Sequence, residues 1–423
     1  DRDTPSTLGK LCVKGATVCE TLKEGRLKEP LYRKNLNEEF KKISWDESYK
    51  ILKENILSSI KNHGPDSIAM YGSGQFHTED YYIAQKLLKG AIGTNNFDAN
   101  SRLCMSSAVA GYNRSFGSDG PPCCYEDIDH CSSIFLIGTN TAECHPVLFD
   151  RIKKRKRNVN DNLKVIVIDP RETETASIAD FYLQIASGTD LFLFIGIANY
   201  LYKNKLTEQN FIEKSTENYD HFVKHIQTWD LKKISEICNI SKQAIIDIAK
   251  LWGESKNVLS LWSMGLNQRQ EGTATVNGLI NLHLMTGQLG KAGAGPFSLT
   301  GQPNAMGGRE AGGLSHLLPG YRFVKNKIDR NEIEKIWGFP IGKISEKQGL
   351  SAWEQIEAIN KGTVKIWWIA ATNPLVSMPN LNFVKKALLK CPFIILNESY
   401  EQSESIKFAH LVLPAAQWSE KDG

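Results

Sequence analysis

The chain lacks a long apolar segment and a strong charge imbalance. No apolar run reaches the roughly 18 residues that a membrane-spanning helix needs. The 51 lysines and arginines face 47 aspartates and glutamates, giving a formal charge of +4, which is too balanced to indicate a nucleic-acid partner. We therefore expect neither membrane insertion nor nucleic-acid binding.

The chain also lacks the regular cysteine spacing of a disulfide scaffold or a structural zinc site. Its nine cysteines stand at irregular intervals, which favours a reducing compartment and predicts a cytoplasmic location. Neither a Walker loop nor a Gly-x-Gly-x-x-Gly sequence is present, so no nicotinamide site is predicted. The start at Asp1 and the charged end at Gly423 indicate a fragment of a longer protein.

Short β-branched runs alternate with helical patterns over 423 residues, which predicts a multi-domain α/β fold with parallel, Rossmann-like sheets wound with helices. Ser44-Trp-Asp-Glu47 is a capping box that predicts a helix to about Ile60. The glycine-rich stretch 289–320 is predicted to lack regular structure and to form the wall of a substrate funnel. The other predicted strands are 67–71, 133–137, 164–169, 258–262, 364–369 and 393–396, and the other predicted helices are 79–90, 146–156, 190–202 and a polar stretch over 207–253.

Most of the predicted strands end in a small or amide-bearing turn. In parallel sheets, ligands lie beyond the carboxyl ends of strands, where helix N-termini and backbone N–H groups favour anions. One such turn is ordinary, but six of them over two sheet regions predict a large ligand with several phosphates. The six turns are 72–75, 138–140, 169–171, 263–265, 371–373 and 397–399.

One cysteine, Cys104, precedes a small-residue helix in the run Asn100-Ser-Arg-Leu-Cys104-Met105, and Cys12 lies about 90 residues upstream. A soft thiolate flanked by polar donors suits a heavy metal carried by an anionic cofactor. Together with the segments 120–127, 137–146 and 301–310, these residues resemble the molybdenum-bis-pterin oxidoreductases, and among them the nitrate reductases. The cysteine-rich sequences of the first two segments resemble those of the assimilatory, cyanobacterial-type, ferredoxin-dependent branch.

This resemblance implies an oxidoreductase that reduces nitrate to nitrite by oxygen-atom transfer to molybdenum in nitrate assimilation. Cys104 would be the protein ligand of the metal, which two molybdopterin guanine dinucleotides also hold. Arg309 would bind nitrate, because a planar guanidinium suits a planar anion, and Met105 would form part of an apolar wall. Formate dehydrogenases have a histidine where this chain has Met105. An ion pair between Arg309 and Glu310, and simple core packing of Met105, are the alternatives.

The resemblance also implies a route for electrons. Cys12 matches the fourth ligand of a 4Fe-4S cluster, whose other three ligands would precede residue 1, and Lys14 would lie between this cluster and a pterin. Ferredoxin or a similar protein would be the electron donor, and the enzyme would be a monomer. The basic run Arg151–Arg157 holds six cations in seven residues. It is either the solvated end of a surface helix or a landing patch for an acidic electron carrier.

Further positions of this chain match residues that hold the pterin dinucleotides in the family. Amides and backbone donors would read the pterin edges, and Asp169 or Asp190 would bind guanine or ribose. The predicted cofactor-binding residues are Lys14, Gln75, Asn100, Cys104, Gly138, Thr139, Asn140, Thr141, Ala142, Glu143, Cys144, Asp169, Pro170, Arg171, Glu172, Thr173, Gly188, Thr189, Asp190, Met264, Gln268, Asn373, Glu398, Ser399 and Lys421.

The family model divides the chain into three parts. Residues 1–24 would be the remnant of an iron–sulfur domain, residues 25–98 with 309–423 a discontinuous α/β pterin-binding domain, and residues 99–308 a Rossmann-like domain with the molybdenum ligand. Three alternatives remain open: a periplasmic nitrate reductase, a formate dehydrogenase of the same family, and a pterin-free electron-transfer subunit with the same fold. Cys104 and the anion-binding turns argue against the last of these.

Overall fold

A computed structural model describes residues 3–158 and 160–422. The chain packs into two compact units. Unit 1 comprises Asp1–Ala16 and Cys104–Gly301, and unit 2 comprises Thr17–Leu103 and Gln302–Gly423. The predicted division into three cofactor-related parts stays a prediction, because these units reflect only which segments pack together.

Parallel strands dominate both units, as the alternating sequence pattern predicted. In chain order the strands are β1 (Leu31–Tyr32), β2 (Lys41–Lys42), β3 (Ile68–Gly72), β4 (Phe97–Ala99), β5 (Ser133–Ile137), β6 (Lys164–Ile168), β7 (Phe181–Leu183), β8 (Val258–Trp262), β9 (Gly295–Ser298), β10 (Leu317–Leu318), β11 (Arg322–Phe323), β12 (Ile366–Ala370), β13 (Phe393–Glu398) and β14 (Leu411–Pro414).

Helices connect and cover these strands. In chain order they are α1 (Val13–Thr17), α2 (Trp45–His63), α3 (Thr78–Gln85), α4 (Ser101–Phe116), α5 (Asp127–His130), α6 (Thr141–Cys144), α7 (Pro146–Arg157), α8 (Asp190–Lys203), α9 (Gln209–Ser215), α10 (Tyr219–Gln227), α11 (Leu231–Cys238), α12 (Lys242–Glu254), α13 (Met264–Asn267), α14 (Gly272–Met285), α15 (Ala305–Glu310), α16 (Lys327–Trp337), α17 (Ala352–Asn360), α18 (Pro374–Ser377) and α19 (Leu381–Lys390).

The sheet of unit 1 has five parallel strands in the order β7-β6-β5-β8-β9. Its central strand is buried along its whole length and alternates between two hydrophobic clusters. Phe135 and Ile137 face the larger cluster, whereas Ile134 and Leu136 face the smaller one. Both faces of the sheet are therefore covered, which explains why its central strands read as continuous apolar runs.

The sheet of unit 2 has seven strands in the order β2-β1-β14-β13-β12-β3-β4. Strands β3, β4, β12, β13 and β14 pair in parallel, and the short β1 and β2 add an antiparallel edge. Trp367 and Ile369 face one hydrophobic cluster of this unit, and Ile366 and Ala370 face another. Consecutive residues of one strand thus pack on opposite faces of the sheet.

Helix α2 begins where its capping box predicts. Ser44 Oγ accepts from the Glu47 amide at 3.2 Å, and the Glu47 carboxylate accepts from the Ser44 amide at 3.4 Å. The predicted helix 79–90 also exists, but it changes at Lys86 from α3 into a π-helix over Lys86–Ile92.

The polar stretch 207–253 is helical, as predicted, and is divided into four helices, α9–α12, with Asn218 and Asn239 at positive φ between them. The glycine-rich stretch 289–320 contains β9, α15 and β10, although it was predicted to lack regular structure. Strand β9 forms because it pairs with β8 at the sheet edge, where a proline costs no ladder hydrogen bond.

Candidate functional site

Cys104 lies immediately before a break in α4. Met105 has φ −127° and ψ 18°, which are not helical angles, so two helical segments meet at this residue. Cys104 is half-buried, with its Sγ 3.8 Å from Met264 Sδ. Burial raises the pKa of the Cys104 thiol, and a backbone hydrogen bond from Gly301 acts in the opposite direction. Met105 itself is 4% exposed and packs in the core of unit 1, so the structure shows core packing, and a part in an apolar wall stays a prediction.

A cleft of about 330 Å³ opens beyond the carboxyl ends of the unit 1 strands. Its volume is within the range of small-molecule sites, and it lies at the edge where α/β sheets bind ligands. The turns after β5, β6, β7 and β8 all contribute to it, which confirms that the strand ends of this unit come together. The lining residues are Gly138, Asn140, Cys144, Asp169, Pro170, Arg171, Ile185, Ala186, Ser187, Gly188, Asp190, Ser263, Met264 and Gly265.

Two glycines set the floor of this cleft. Gly138 follows β5 with φ +55°, and its carbonyl accepts from the Gly265 amide at 3.0 Å. A Cβ added to Gly138 would stand 2.7 Å from the backbone of Gly265 and Leu266, far inside van der Waals contact. The turns after β5 and β8 approach this closely only because both residues are glycine.

Hydroxyl groups brace the loop that follows β5. Thr139 Oγ1 donates to Ser263 Oγ at 3.3 Å, linking the loop to the end of β8. Thr175 Oγ1 donates to Asn140 Oδ1 at 3.1 Å and accepts from the Ala142 amide at the same distance. The predicted residues Thr139 and Thr141 are buried, whereas Glu143 and Cys144 are exposed at the end of α6. The buried members therefore hold the loop, and the exposed ones lie on its surface.

The loop before α8 carries an ion pair that the sequence did not reveal. Arg269 Nη1 lies 2.6 Å from Asp190 Oδ2, and Arg269 also donates to the carbonyl of Gly188. Burial raises the pKa of Asp190, while Arg269 favours its charged form. Asp169 is half-buried, and its carboxylate accepts from the Arg171 amide at 2.9 Å. Asp169 is thus the more accessible of the two carboxylates predicted to bind guanine or ribose.

In unit 2, Asn100 ties three segments together. Its Oδ1 accepts from the Gly74 amide at 2.6 Å and from Gln302 Nε2 at 2.6 Å, and its Nδ2 donates to Thr372 Oγ1 at 3.1 Å. The turns after β3, β4 and β12 are therefore linked by one side chain. Gln75 is exposed beside this hub.

Asn373 forms a second hub in unit 2. Its Oδ1 accepts from the Leu375 amide at 3.2 Å and from Ser405 Oγ at 2.9 Å, and its Nδ2 donates to Glu404 Oε2 at 2.6 Å. Asn373 thereby caps α18 and anchors the 3₁₀-helix Glu404–Phe408.

Four predicted residues of unit 2 remain. Glu398, Ser399 and Lys421 bond to other protein groups, and Arg309 lies on a short helix. Glu398 accepts from the Ser399 amide at 2.7 Å, and Ser399 Oγ donates to the Ala415 carbonyl at 2.9 Å. Lys421 Nζ pairs with Asp80 at 2.5 Å. Arg309 is half-buried on α15, whose next residue Glu310 is exposed. Contributions of Glu398, Ser399 and Lys421 to ligand binding stay predictions.

The N-terminal segment brings Cys12 and Lys14 to α1. Backbone hydrogen bonds, the largest from Gly15, lower the pKa of the Cys12 thiol, and the charge of Lys14 acts in the same direction. Lys14 is exposed. The pKa of His145, which follows the loop after β5, is lowered first by the burial of His145 and then by the charge of Lys14. Lys14 is thus near enough to His145 to affect its pKa, and its place between the cluster and a pterin stays a prediction.

Sequence reasoning missed several residues that organise the two sites. Asn267 and Arg269 lie beside the predicted Gln268. Ser263 had been singled out only as part of a turn. Their common signal is sequence adjacency to predicted positions, but their partners come from distant segments and are invisible without the fold.

No helix in residues 3–158 and 160–422 is long and apolar enough to cross a membrane. Within the same residues, no three His, Cys, Asp or Glu side chains gather to hold a metal ion.

The chain is similar to known proteins along its whole length. A nitrate reductase of Synechocystis sp. is 52% identical over 423 residues, covering 100% of this chain and 59% of that protein. A periplasmic nitrate reductase of Desulfovibrio desulfuricans is 42% identical, covering 98% and 56%. The assimilatory nitrate reductase catalytic subunit of Bacillus subtilis is 36% identical, covering 100% and 59%. The chain thus spans nearly three-fifths of the length of these relatives.

A solved structure and a family model are also similar to this chain. The structure of acetylene hydratase from Pelobacter acetylenicus superposes with a TM-score of 0.78 at 19% identity, covering 99% of this chain and 59% of that chain, and so shows the same fold. The model of the molybdopterin oxidoreductase family matches residues 26–423. The chain belongs to the molybdopterin oxidoreductase family.

Proposed function

We propose that this protein reduces nitrate to nitrite, with molybdenum held by Cys104 and two molybdopterin guanine dinucleotides. The observation that carries the proposal is the half-buried Cys104 at the break in α4, in contact with Met264, which lines the unit 1 cleft. Three similar proteins named nitrate reductases support the substrate. Met105 after the cysteine, in place of a histidine, favours nitrate over formate.

The residues present fit such a cofactor. The unit 1 cleft is framed by backbone turns and by Arg171, which suits phosphates, and Asp169 at its edge is an acceptor for a guanine or a ribose. In unit 2, Gln302 Oε1 is buried without a hydrogen-bond partner among the described residues, next to the predicted Asn100. A cleft of this volume holds part of a dinucleotide, and an unpaired buried acceptor indicates a polar ligand.

Two residues of this chain have tasks in the proposed reaction. When bound, molybdenum supplies the two-electron oxygen-atom transfer that converts nitrate and two protons to nitrite and water. Cys104 provides the thiolate that holds the metal. Arg309 neutralises and orients nitrate, because two parallel N–H groups match two nitrate oxygens.

Electrons enter through an iron–sulfur cluster in this proposal. Backbone N–H groups that lower the pKa of Cys12 suit a thiolate ligand, since hydrogen bonds to cluster sulfurs are typical of such sites. The exposed Lys14 would lie between this cluster and a pterin. The donor we propose is ferredoxin, acting on a monomeric cytoplasmic enzyme. The similarity to the periplasmic enzyme of Desulfovibrio desulfuricans keeps a periplasmic location as the second candidate.

The full-length protein tests the proposal directly. Metal analysis should find molybdenum and iron, and nitrate should oxidise reduced methyl viologen in its presence with one nitrite formed per nitrate. Fractionated cells should show the protein in the cytoplasm. Formate-dependent dye reduction without nitrate turnover would favour the formate dehydrogenase alternative, and a protein without molybdenum would favour the pterin-free subunit.

A further inference from the structure

The break in α4 turns the backbone of Cys104 toward a side chain from another helix. The φ of Met105, −127°, differs by about 60° from a helical value, so the peptide between Cys104 and Met105 is rotated relative to the helix that follows. Asn267 Nδ2 donates to the carbonyl oxygen of Cys104 at 2.8 Å. An amide side chain therefore stabilises the backbone at the break.

Asn267 is itself held firmly. It is 1% exposed and is the last residue of α13. A Cβ added to Gly272 would lie 2.0 Å from the Asn267 carbonyl oxygen, so the backbone of Gly272 packs directly against it. At the other end of α13, the Gly265 amide donates to Gly138 at 3.0 Å. Packing at both ends of α13 thus fixes the direction from which the Asn267 amide reaches Cys104.

The same short helix also contacts the sulfur of Cys104. Met264 Sδ lies 3.8 Å from Cys104 Sγ, and residues 264 and 267 lie three apart, on one face of a helix. Helix α13 therefore contacts the cysteine at two points, the sulfur and the carbonyl oxygen. Two contacts restrict the orientation of a side chain far more than one.

The second polar atom of the Asn267 amide, Oδ1, has a different environment from the donor Nδ2. Its Oδ1 is buried and makes no hydrogen bond within residues 3–158 and 160–422. A buried unpaired acceptor costs about 1–3 kcal/mol, which an apolar residue would avoid. The atom of this amide that has a partner is the donor to Cys104.

We infer that Asn267 is a positioning residue for the metal ligand: its amide holds the Cys104 carbonyl at the helix break and so sets the direction of the thiolate. This inference rests on the proposed function, in which Cys104 binds molybdenum. Polar groups one step removed from a metal typically change affinity or activity by about 10- to 100-fold when they are removed.

Two variants of the full-length protein test the inference. Asn267→Asp keeps the shape of the side chain but has no N–H to donate, and Asn267→Ala removes the group without adding a charge. Asn277→Asp is the matched control, because Asn277 Nδ2 also donates to a carbonyl of α4, that of Gly111 at 3.0 Å. The control thus removes the same kind of bond from the same helix, seven residues beyond the cysteine.

Both Asn267 variants should lower kcat for nitrate by about 10-fold or more with little change in KM, and should alter the electron paramagnetic resonance line shape of Mo(V). In cofactor-free protein, Cys104 should be alkylated several-fold faster than in the wild type, relative to the exposed Cys124 of the same chain. Asn277→Asp should leave all three readouts unchanged.

The inference would be overturned if both Asn267 variants had the wild-type Mo(V) line shape and the wild-type alkylation rate of Cys104. This holds even if the free energy of unfolding of the variants fell. The proposed function fails separately: a Cys104→Ala protein that retained the wild-type Mo(V) spectrum would exclude Cys104 as ligand. The alkylation rates of cofactor-free protein would still report whether Asn267 orders the helix break.

Discussion

The two units hold their strand-end turns in different ways. In unit 1, the turns after β5 and β8 meet through the backbones of Gly138 and Gly265, which leave no room for a side chain. In unit 2, the amides of Asn100 and Asn373 add side-chain bridges between turns that otherwise share single backbone hydrogen bonds, from Asn100 to Gly72 and from Ala371 to Asn397. Backbone contact resists any added atom, whereas a side-chain bridge fails when its hydrogen bonds are removed. Substitutions in unit 1 should therefore act through steric strain, and those in unit 2 through lost hydrogen bonds.

The largest expected effect follows from removing Cys104, the proposed metal ligand in unit 1. Cys104→Ala should abolish nitrate reduction, because a methyl group cannot bind molybdenum, while the half-buried site accepts the smaller side chain without unfolding. Nitrite formation and the thermal unfolding midpoint measure the two effects. Cys124→Ala, at an exposed cysteine, is the control and should retain full activity. More than a few per cent of residual activity in Cys104→Ala would contradict the assignment.

Gly138→Ala tests the steric floor of the unit 1 cleft. The new Cβ would stand 2.7 Å from backbone atoms, at a residue with φ +55°, so the turn must move. We expect the free energy of unfolding to fall by about 3 kcal/mol and cofactor content to fall with it. Gly117→Ala has a φ of +77° with no described atom within 4 Å of the new Cβ, and should cost only about 1 kcal/mol. Equal losses in urea unfolding would show that contact with Gly265 is unimportant.

Arg309→Lys tests whether unit 2 supplies the cation for the substrate. An ammonium cannot present two parallel N–H groups, so KM for nitrate should rise by about 10-fold or more while molybdenum content stays unchanged. Steady-state kinetics with reduced methyl viologen give both constants. Arg322→Lys, at a solvent-accessible pair with Glu332, should leave KM unaltered. A wild-type KM in Arg309→Lys would return Arg309 to a structural role.

Asn100→Ala tests the side-chain bridge of unit 2. The Gly74 amide, which donates to Asn100 Oδ1 at 2.6 Å, should exchange with solvent about 10-fold faster, as expected for a lost hydrogen bond of roughly 1.4 kcal/mol. Hydrogen exchange followed by mass spectrometry of the 72–75 segment measures the change. Asn360→Ala removes amide bonds to Ile356 and Phe383 elsewhere in unit 2 and should not affect Gly74. Unchanged exchange in Asn100→Ala would mean that the turn after β3 is held by its backbone, as in unit 1.

The smallest expected effect concerns the surface of unit 1. The basic run on α7 is partly neutralised, since Arg151, Arg155 and Lys156 pair with aspartates. Reversing the exposed Lys154 and Arg157 to Glu should therefore lower activity with ferredoxin only a few-fold at low ionic strength, and leave activity with methyl viologen unchanged.

The control for this charge reversal is Lys224→Glu with Lys232→Glu, which changes the same number of exposed charges elsewhere in unit 1. Equal loss in both proteins would indicate a general effect of net charge. No loss in either would leave the run on α7 as a solvated helix face.

Strand positions were largely predictable because their signal is local. Strands β5 and β8 have the bounds predicted for them, since both are buried between helices and consist mainly of apolar residues. The strands β4, β7, β9 and β14 were missed, because three to four residues carry too little pattern and pairing with a neighbour decides their conformation.

The sequence alone determined the α/β class, the family resemblance and the cysteine on which the proposed chemistry depends, because short motifs and strand-end turns are written in contiguous residues. Only the tertiary structure decided which atoms support that chemistry. The bond from Asn267 to Cys104 spans 163 residues, and the bond from Gln302 to Asn100 spans 202. Such contacts depend on how strands and helices pack, and local residue preferences contain no information about a partner so far along the chain.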